Sequence, residues 1–105
     1  MEFLTSSALL DSFVLAILSR GDSYGYALTG AVTEYVNISE STLYPALRRL
    51  QKGSYLETYD EPADGRNRRY YRITDSGQSK LAEYRAEWKN TKNAIDQILK
   101  GSDKK

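Results

Sequence analysis

The stretch SYLETYDEPADGRNRRYYRIT, residues 54–74, decides how the rest of the chain is read. Residues 55–62 and 68–73 are rich in tyrosine and alternate in polarity, the pattern of half-buried strands. Between them, ADGRN centres on Asp64-Gly65, a turn-forming pair, so the sequence predicts a β-hairpin with a long charged tip. Its charges are segregated. Glu57, Asp60, Glu61 and Asp64 occupy the first strand and turn; Arg66, Arg68, Arg69 and Arg72 occupy the return. Opposite charges across a hairpin stabilise it by about 0.2–1 kcal/mol per pair, which leaves Arg69 and Arg72 open between pairing within the hairpin and an outward role. Arg66 and Arg68, flanking Asn67 beside the turn, are placed to reach outward instead. Tyr71 and Ile73 share the strand face expected to pack on helices, and Tyr70 takes the other.

Upstream, three helices are expected. Leu10, Phe13, Val14, Ile17 and Leu18 fall at helical spacing within residues 7–19. Residues 24–36 read as a second helix with Leu28, Val32 and Tyr35 on one side. Gly25 and Gly30 each cost it roughly 1 kcal/mol, which close helix–helix approach would explain. The third starts at Ser39, a good N-cap, with Glu40 in its first turn, and stops at Gly53. Leu43, Ala46, Leu47 and Leu50 point to the core. Ser41, Thr42, Pro45, Arg48 and Arg49 point away, with Tyr44 at the boundary. Pro45 removes the bond to the Ser41 carbonyl and predicts a local distortion. Hydroxyls and guanidinium groups so arranged can contact phosphates and base edges. An ordinary solvated face has the same composition, so this helix alone leaves both readings open.

Downstream, Thr74 caps a final helix reaching about residue 100, roughly 40 Å long. Leu81, Tyr84, Trp88, Thr91, Ile95 and Ile98 repeat at alternating spacings of three and four, a coiled-coil seam. The predicted fold class is therefore mainly α with a small β-hairpin (α+β): a winged helix-turn-helix followed by a long C-terminal dimerisation helix. The boundaries expected are 1–73 for the winged helix-turn-helix, 74–100 for the dimerisation helix and 101–105 for a frayed tail. The N-terminal helix is free to join the dimer interface.

Composition sets the limits. At 105 residues, 40% hydrophobic and 28% charged, the chain suits one globular domain. Fifteen basic residues against fourteen acidic ones leave a net charge of +1, so any affinity for a polyanion must come from local clustering. The absence of cysteine and histidine removes disulfides, thiol chemistry and the usual transition-metal ligands, so no metal or cofactor is expected. There is no phosphate-cradling glycine motif and no nucleophile–base pair, which argues against an enzyme. No apolar run approaches membrane-spanning length and no signal peptide is visible, so a cytoplasmic location is expected.

Three blocks carry a family resemblance: YGYAL (24–28), STLYPALRRLQKGSYLE (41–57) and GRNRRYYRITDSG (65–77). With their spacing, they resemble the PadR family of transcriptional regulators over most of residues 8–100. The resemblance implies a dimeric winged-helix DNA-binding protein, usually a repressor, on a palindrome-like operator. It assigns Ser41, Thr42, Tyr44 and Arg48 to a recognition helix and Gly65, Arg66 and Arg68 to a wing; Pro45, Arg49 and Asn67 lie among them. Two departures stand out. Ala27 occupies a place where the family often has an acid, and no separate C-terminal helical domain follows the long helix, as in the short LmrR-like subgroup. In that subgroup a tryptophan matching Trp88 stacks flat compounds at the dimer axis. The resemblance thus implies a planar aromatic or cationic effector near Trp88, with Phe13, Val14 and Asp96 as companions. The plainer alternative makes Trp88 a packing anchor of the seam, although polar Thr91 and Lys92 interrupt it. The expected partners are double-stranded operator DNA, a second copy of the chain and a planar aromatic small molecule. The competing function is a small-molecule-binding or protein-interaction module that uses the same scaffold without touching DNA.

Overall fold

The computed structural model describes residues 7–101; the first six residues and the tail from 102 onward, expected to fray, lie outside the described residues. The elements are α1 (Ala8–Leu18), β1 (Ser23–Tyr24), α2 (Gly25–Thr33), α3 (Glu40–Lys52), β2 (Leu56–Ala63), β3 (Arg66–Ile73) and α4 (Asp75–Lys100). Helix α1 is the central post. Its Val14, Leu15 and Leu18 are no more than 1% exposed. They share one cluster with Leu28 and Val32 of α2, Leu43, Ala46, Leu47 and Leu50 of α3, Leu56 of β2, and Leu81 and Tyr84 of α4. Each such aliphatic side chain contributes about 1.5–3 kcal/mol on burial, enough to dictate which face of every helix turns inward.

The helix starts follow from their caps. The Ser39 hydroxyl accepts from the Thr42 N–H at 3.3 Å, and the Thr74 hydroxyl accepts from the Gly77 N–H at 3.1 Å. Helix α3 runs unbroken through Pro45, on its exposed side, so the expected distortion does not end the helix. Its left-handed exit residue is Ser54, at φ +67°, rather than Gly53. Helix α2 is shorter than predicted. It stops at Thr33, whose hydroxyl donates to the Gly30 carbonyl at 3.0 Å beside the Glu34 N–H at 3.2 Å. Tyr35, expected on the buried side, is 73% exposed as a result. Only one of the two α2 glycines answers to a close approach: a side chain at Gly25 would press on the Tyr44 ring, whereas Gly30 faces open space.

The sheet is antiparallel in the order β1-β3-β2. Asp64 and Gly65 both have positive φ, +53° and +80°, and alone make the turn, the two-residue connection whose twist matches paired strands. The long tip expected is therefore absent, and Arg66, Asn67 and Arg68 lie within the ladder, opposite Ala63, Pro62 and Glu61. Strand β1 is an addition: Ser23 and Tyr24 pair with Tyr71 and Tyr70. Tyr71 and Ile73 pack against the core as expected.

The passage from β3 into α4 is sewn to the α3–β2 connection. The Thr74 N–H donates to the Tyr55 carbonyl at 3.1 Å, and the Thr74 and Ser76 hydroxyls donate to the Ser54 carbonyl at 2.8 and 3.0 Å. Gly77 sits so close that a methyl group there would collide with the Tyr55 carbonyl and the Ile73 side chain. Gly77→Ala should lower stability by about 1–3 kcal/mol, the usual cost of overpacking, as read by urea denaturation. Ala86→Gly, further along α4 at an exposed position, should cost about 1 kcal/mol through helix propensity alone.

Candidate nucleic-acid interface

The core fixes what α3 shows to solvent. With Leu43, Ala46, Leu47 and Leu50 buried, Ser41, Thr42, Pro45 and Arg48 form an exposed row. Arg48 makes no ion pair among the described residues. Tyr44 flanks the row: its ring lies against Gly25 and its hydroxyl donates to Glu40 at 3.2 Å. Arg49 is turned elsewhere. Its Nη2 donates to Oδ1 of Asp11 on α1 at 2.6 Å, and Asp11 is only 8% exposed. Arg49 thus anchors α3 to the central helix, which sets it apart from the other α3 residues in the candidate site. Asp11 carried no recognisable signal in the sequence, because the pair spans 38 positions.

The four hairpin arginines meet four different environments. Arg69 lies 3.6 Å from Asp60, its opposite number across the ladder. Arg72 donates to Glu57 at 2.9 Å, lies 3.8 Å from Asp22 and covers the Tyr59 ring at 4.7 Å. Arg68 is half-buried with its guanidinium 4.2 Å from the centre of the Tyr24 ring. Arg66 is exposed at the turn beside Gly65 and Asn67, with no ion pair among the described residues. The outer sheet face beneath them is aromatic. Tyr59 and Tyr70 stack at 5.6 Å, and Tyr24 meets Tyr70 edge-on at 5.5 Å. The Tyr59 hydroxyl donates to Asp22 at 2.6 Å, and this bond to a carboxylate pushes its pKa up to about 12.

One exposed polar helix beside an arginine-bearing ribbon, both hung on a central α1, is a winged helix-turn-helix. Residues 14–83 match the Transcriptional regulator PadR-like family. The chain belongs to that family. Among PadR-like and related proteins, it is similar to the Transcriptional regulator Rv3488 of Mycobacterium tuberculosis, 44% identical over 73 residues, which is 69% of this chain and 68% of the relative. Among solved structures it is similar to smu.1704 from Streptococcus mutans UA159, with TM-score 0.84 and 42% identity over 95% of this chain and 94% of that one. It is also similar to the PadR-like transcriptional regulator BC4206 from Bacillus cereus, with TM-score 0.81 and 30% identity over 97% of this chain and all (100%) of that one. The matched family, Rv3488 and BC4206 are transcriptional regulators, and no described helix is long and apolar enough to cross a membrane.

A second feature of this PadR-like chain is an apolar trough of about 450 Å³ between α1 and α4, lined by Leu9, Phe13, Ala16, Leu81, Tyr84 and Trp88 together with Ser12, Val36 and Arg85. Of the expected companions of Trp88, Phe13 lines it. Val14 does not, being fully buried in the core, and Asp96 instead pairs with Lys92 at 3.3 Å. The α4 seam is likewise divided. Leu81, Tyr84 and Thr91 are buried within the single chain, Ile95 is half-buried, and Trp88 and Ile98 are 45% and 75% exposed. Leu99, which the spacing passed over, is 79% exposed.

Burial raises the pKa of Tyr84 to about 12, with the negative charge of Asp11 adding to the effect. In the unfolded chain a tyrosine ionises near 10.0. Between those values the unfolded state gives up a proton that the folded state keeps. Stability from this source is present below pH 10 and lost as pH rises toward 12. Denaturation midpoints should therefore fall above pH 10, and Tyr84→Phe should flatten that decline.

Proposed function

We propose that the protein is a cytoplasmic, homodimeric repressor that binds a palindrome-like DNA operator. One observation carries the reading: the exposed row Ser41, Thr42 and Arg48 lies on the same winged helix-turn-helix as an Arg66 that makes no ion pair among the described residues. In this arrangement α3 enters the major groove, where hydroxyls and Arg48 meet base edges and phosphates. Arg66 and Arg68 hold the backbone beside it. A two-fold pair would place its readers about 34–36 Å apart, one turn of the duplex. Exposed Trp88, Ile98 and Leu99 on α4 support a second copy as the occupant of that face.

The trough supports a further element of the proposal, a planar aromatic effector stacked on Trp88. Its volume of about 450 Å³ falls within the usual range of roughly 300–1,000 Å³ for small-molecule sites. Arg85 in the lining disfavours a cation there. Such a ligand releases DNA only if it binds one arrangement of the dimer better than the other.

The test is a salt titration of affinity for a duplex selected from a random pool. Each phosphate contact contributes roughly 0.9 to the slope of log affinity against log salt. Arg66→Ala should lower affinity at low salt and flatten the slope by about that amount. An unchanged slope would remove Arg66 from the interface, and a wild type that binds no duplex would favour the scaffold-only alternative. For the effector, planar dyes should quench Trp88 fluorescence and weaken operator binding together. Saturation of the site with no change in operator affinity would sink that part.

A further inference from the structure

Four arginines sit on β3, and an acid lies directly across the ladder from three of them: Asp60 from Arg69, Glu57 from Arg72 and Glu61 from Arg68. Two of the three pairings form. The third does not: among the described residues Arg68 makes no ion pair with Glu61, and its guanidinium lies 4.2 Å over the Tyr24 ring. That ring belongs to a different segment. Tyr24 is half of the two-residue strand β1, is paired in register with Tyr70, and immediately precedes α2. Edge-on contact with Tyr70, itself stacked on Tyr59, fixes the ring from below.

Ion pairing and ring stacking have opposite consequences for a polyanion. A carboxylate neutralises a guanidinium and must be displaced before phosphate can replace it. An aromatic face attracts the cation through its quadrupole but leaves the charge and the N–H edge uncompensated. It also confines a long, flexible side chain, so less entropy is lost when a phosphate binds. We propose that Tyr24 is a positioning residue for DNA binding: it draws Arg68 away from Glu61 and holds the guanidinium ready for a backbone phosphate. The inference deepens the proposed function and rests on it. Strand β1 then has a role beyond closing the sheet, since its Tyr24 also holds a wing arginine.

The experiment is a double-mutant cycle on operator binding, with salt slopes, using Tyr24→Leu, Tyr24→Phe, Arg68→Ala and the Tyr24→Leu/Arg68→Ala pair. Stacking of this kind is worth roughly a three- to tenfold factor in affinity. Tyr24→Leu should lose that factor, whereas Tyr24→Phe, which keeps the ring, should retain wild-type affinity. Arg68→Ala should flatten the salt slope by about 0.9, and adding Tyr24→Leu to it should cost nothing more. An undiminished effect of Tyr24→Leu in the Arg68→Ala background would overturn the inference while leaving the wing contact standing. An Arg68→Ala protein with wild-type affinity and slope would overturn both the contact and the positioning role. A wild type that binds no duplex would overturn the parent function itself. Should Tyr24→Leu prove unfolded by circular dichroism, the Arg68 side-chain Hε resonance decides the matter. A ring-current shift in the wild type and in Tyr24→Phe is expected, and an unshifted resonance in both removes the stack.

Discussion

The burial of α1 is the constraint on which everything else hangs. A helix surrounded by apolar partners must satisfy several neighbours at once, and Val14, Leu15 and Leu18 admit no water. Packing to interior density leaves each neighbour little freedom to rotate. Once Leu43, Leu47 and Leu50 face α1, the row Ser41, Thr42 and Arg48 has to face outward. A polar link between α1 and α3 reinforces the same orientation. The Asp11–Arg49 pair joins a nearly buried carboxylate to a partly exposed guanidinium at 2.6 Å. Its contribution to stability is modest after desolvation, but its geometry admits one azimuth of α3 on α1. Core and ion pair together make the orientation of the outward α3 row a consequence of folding.

What the sequence made legible were features whose cause is local. Helical periodicity located α1, α3 and α4, and the hydroxyls of Ser39 and Thr74 marked two helix starts, because a cap needs only the residues beside it. The same periodicity separated the inward leucines of α3 from its outward row. Features that depend on a distant partner were not legible. Strand β1 is two residues long and exists only because Tyr70 and Tyr71 lie alongside. The twist of paired strands closed the hairpin in two residues where turn-forming composition allowed five. The candidate site divides in the same way: α3's face could be read from spacing, but the distinction between Arg48 and Arg49 required Asp11, far off in the chain. On α4 the apolar repeat was plain, yet whether each member served its own chain or was left exposed depended on α1.

The hairpin arginines show why counting charges is a poor guide to an interface. Arg69 and Arg72 sit 62% and 48% exposed beside carboxylates. Exposed pairs of this kind are worth only 0–1 kcal/mol or so and are screened by salt. They nevertheless remove two positive charges from the field that a polyanion would feel. The aromatic layer of Tyr24, Tyr59 and Tyr70 handles charge differently, since it can hold a guanidinium in place without cancelling it. One ribbon thereby separates its arginines into those that stabilise the hairpin and those that retain their field, although all four occupy one eight-residue strand.

A comparable division runs along α4 and connects the two proposed activities. Its first half gives Leu81 and Tyr84 to the core; beyond Trp88 the apolar residues are increasingly exposed, reaching 75% and 79% at Ile98 and Leu99. Exposed leucine and isoleucine in isolation are unremarkable, but here they continue the line of a trough that already opens between α1 and α4. The trough's walls are the helices that bear the reader: Phe13 lies two positions from Asp11, and Tyr84 is close enough to Asp11 to feel its charge. Anything that separates α1 from α4 must therefore act beside the ion pair that fixes α3. In so small a domain an effector site and a reading helix need no long pathway between them, because both rest on opposite sides of the same central post.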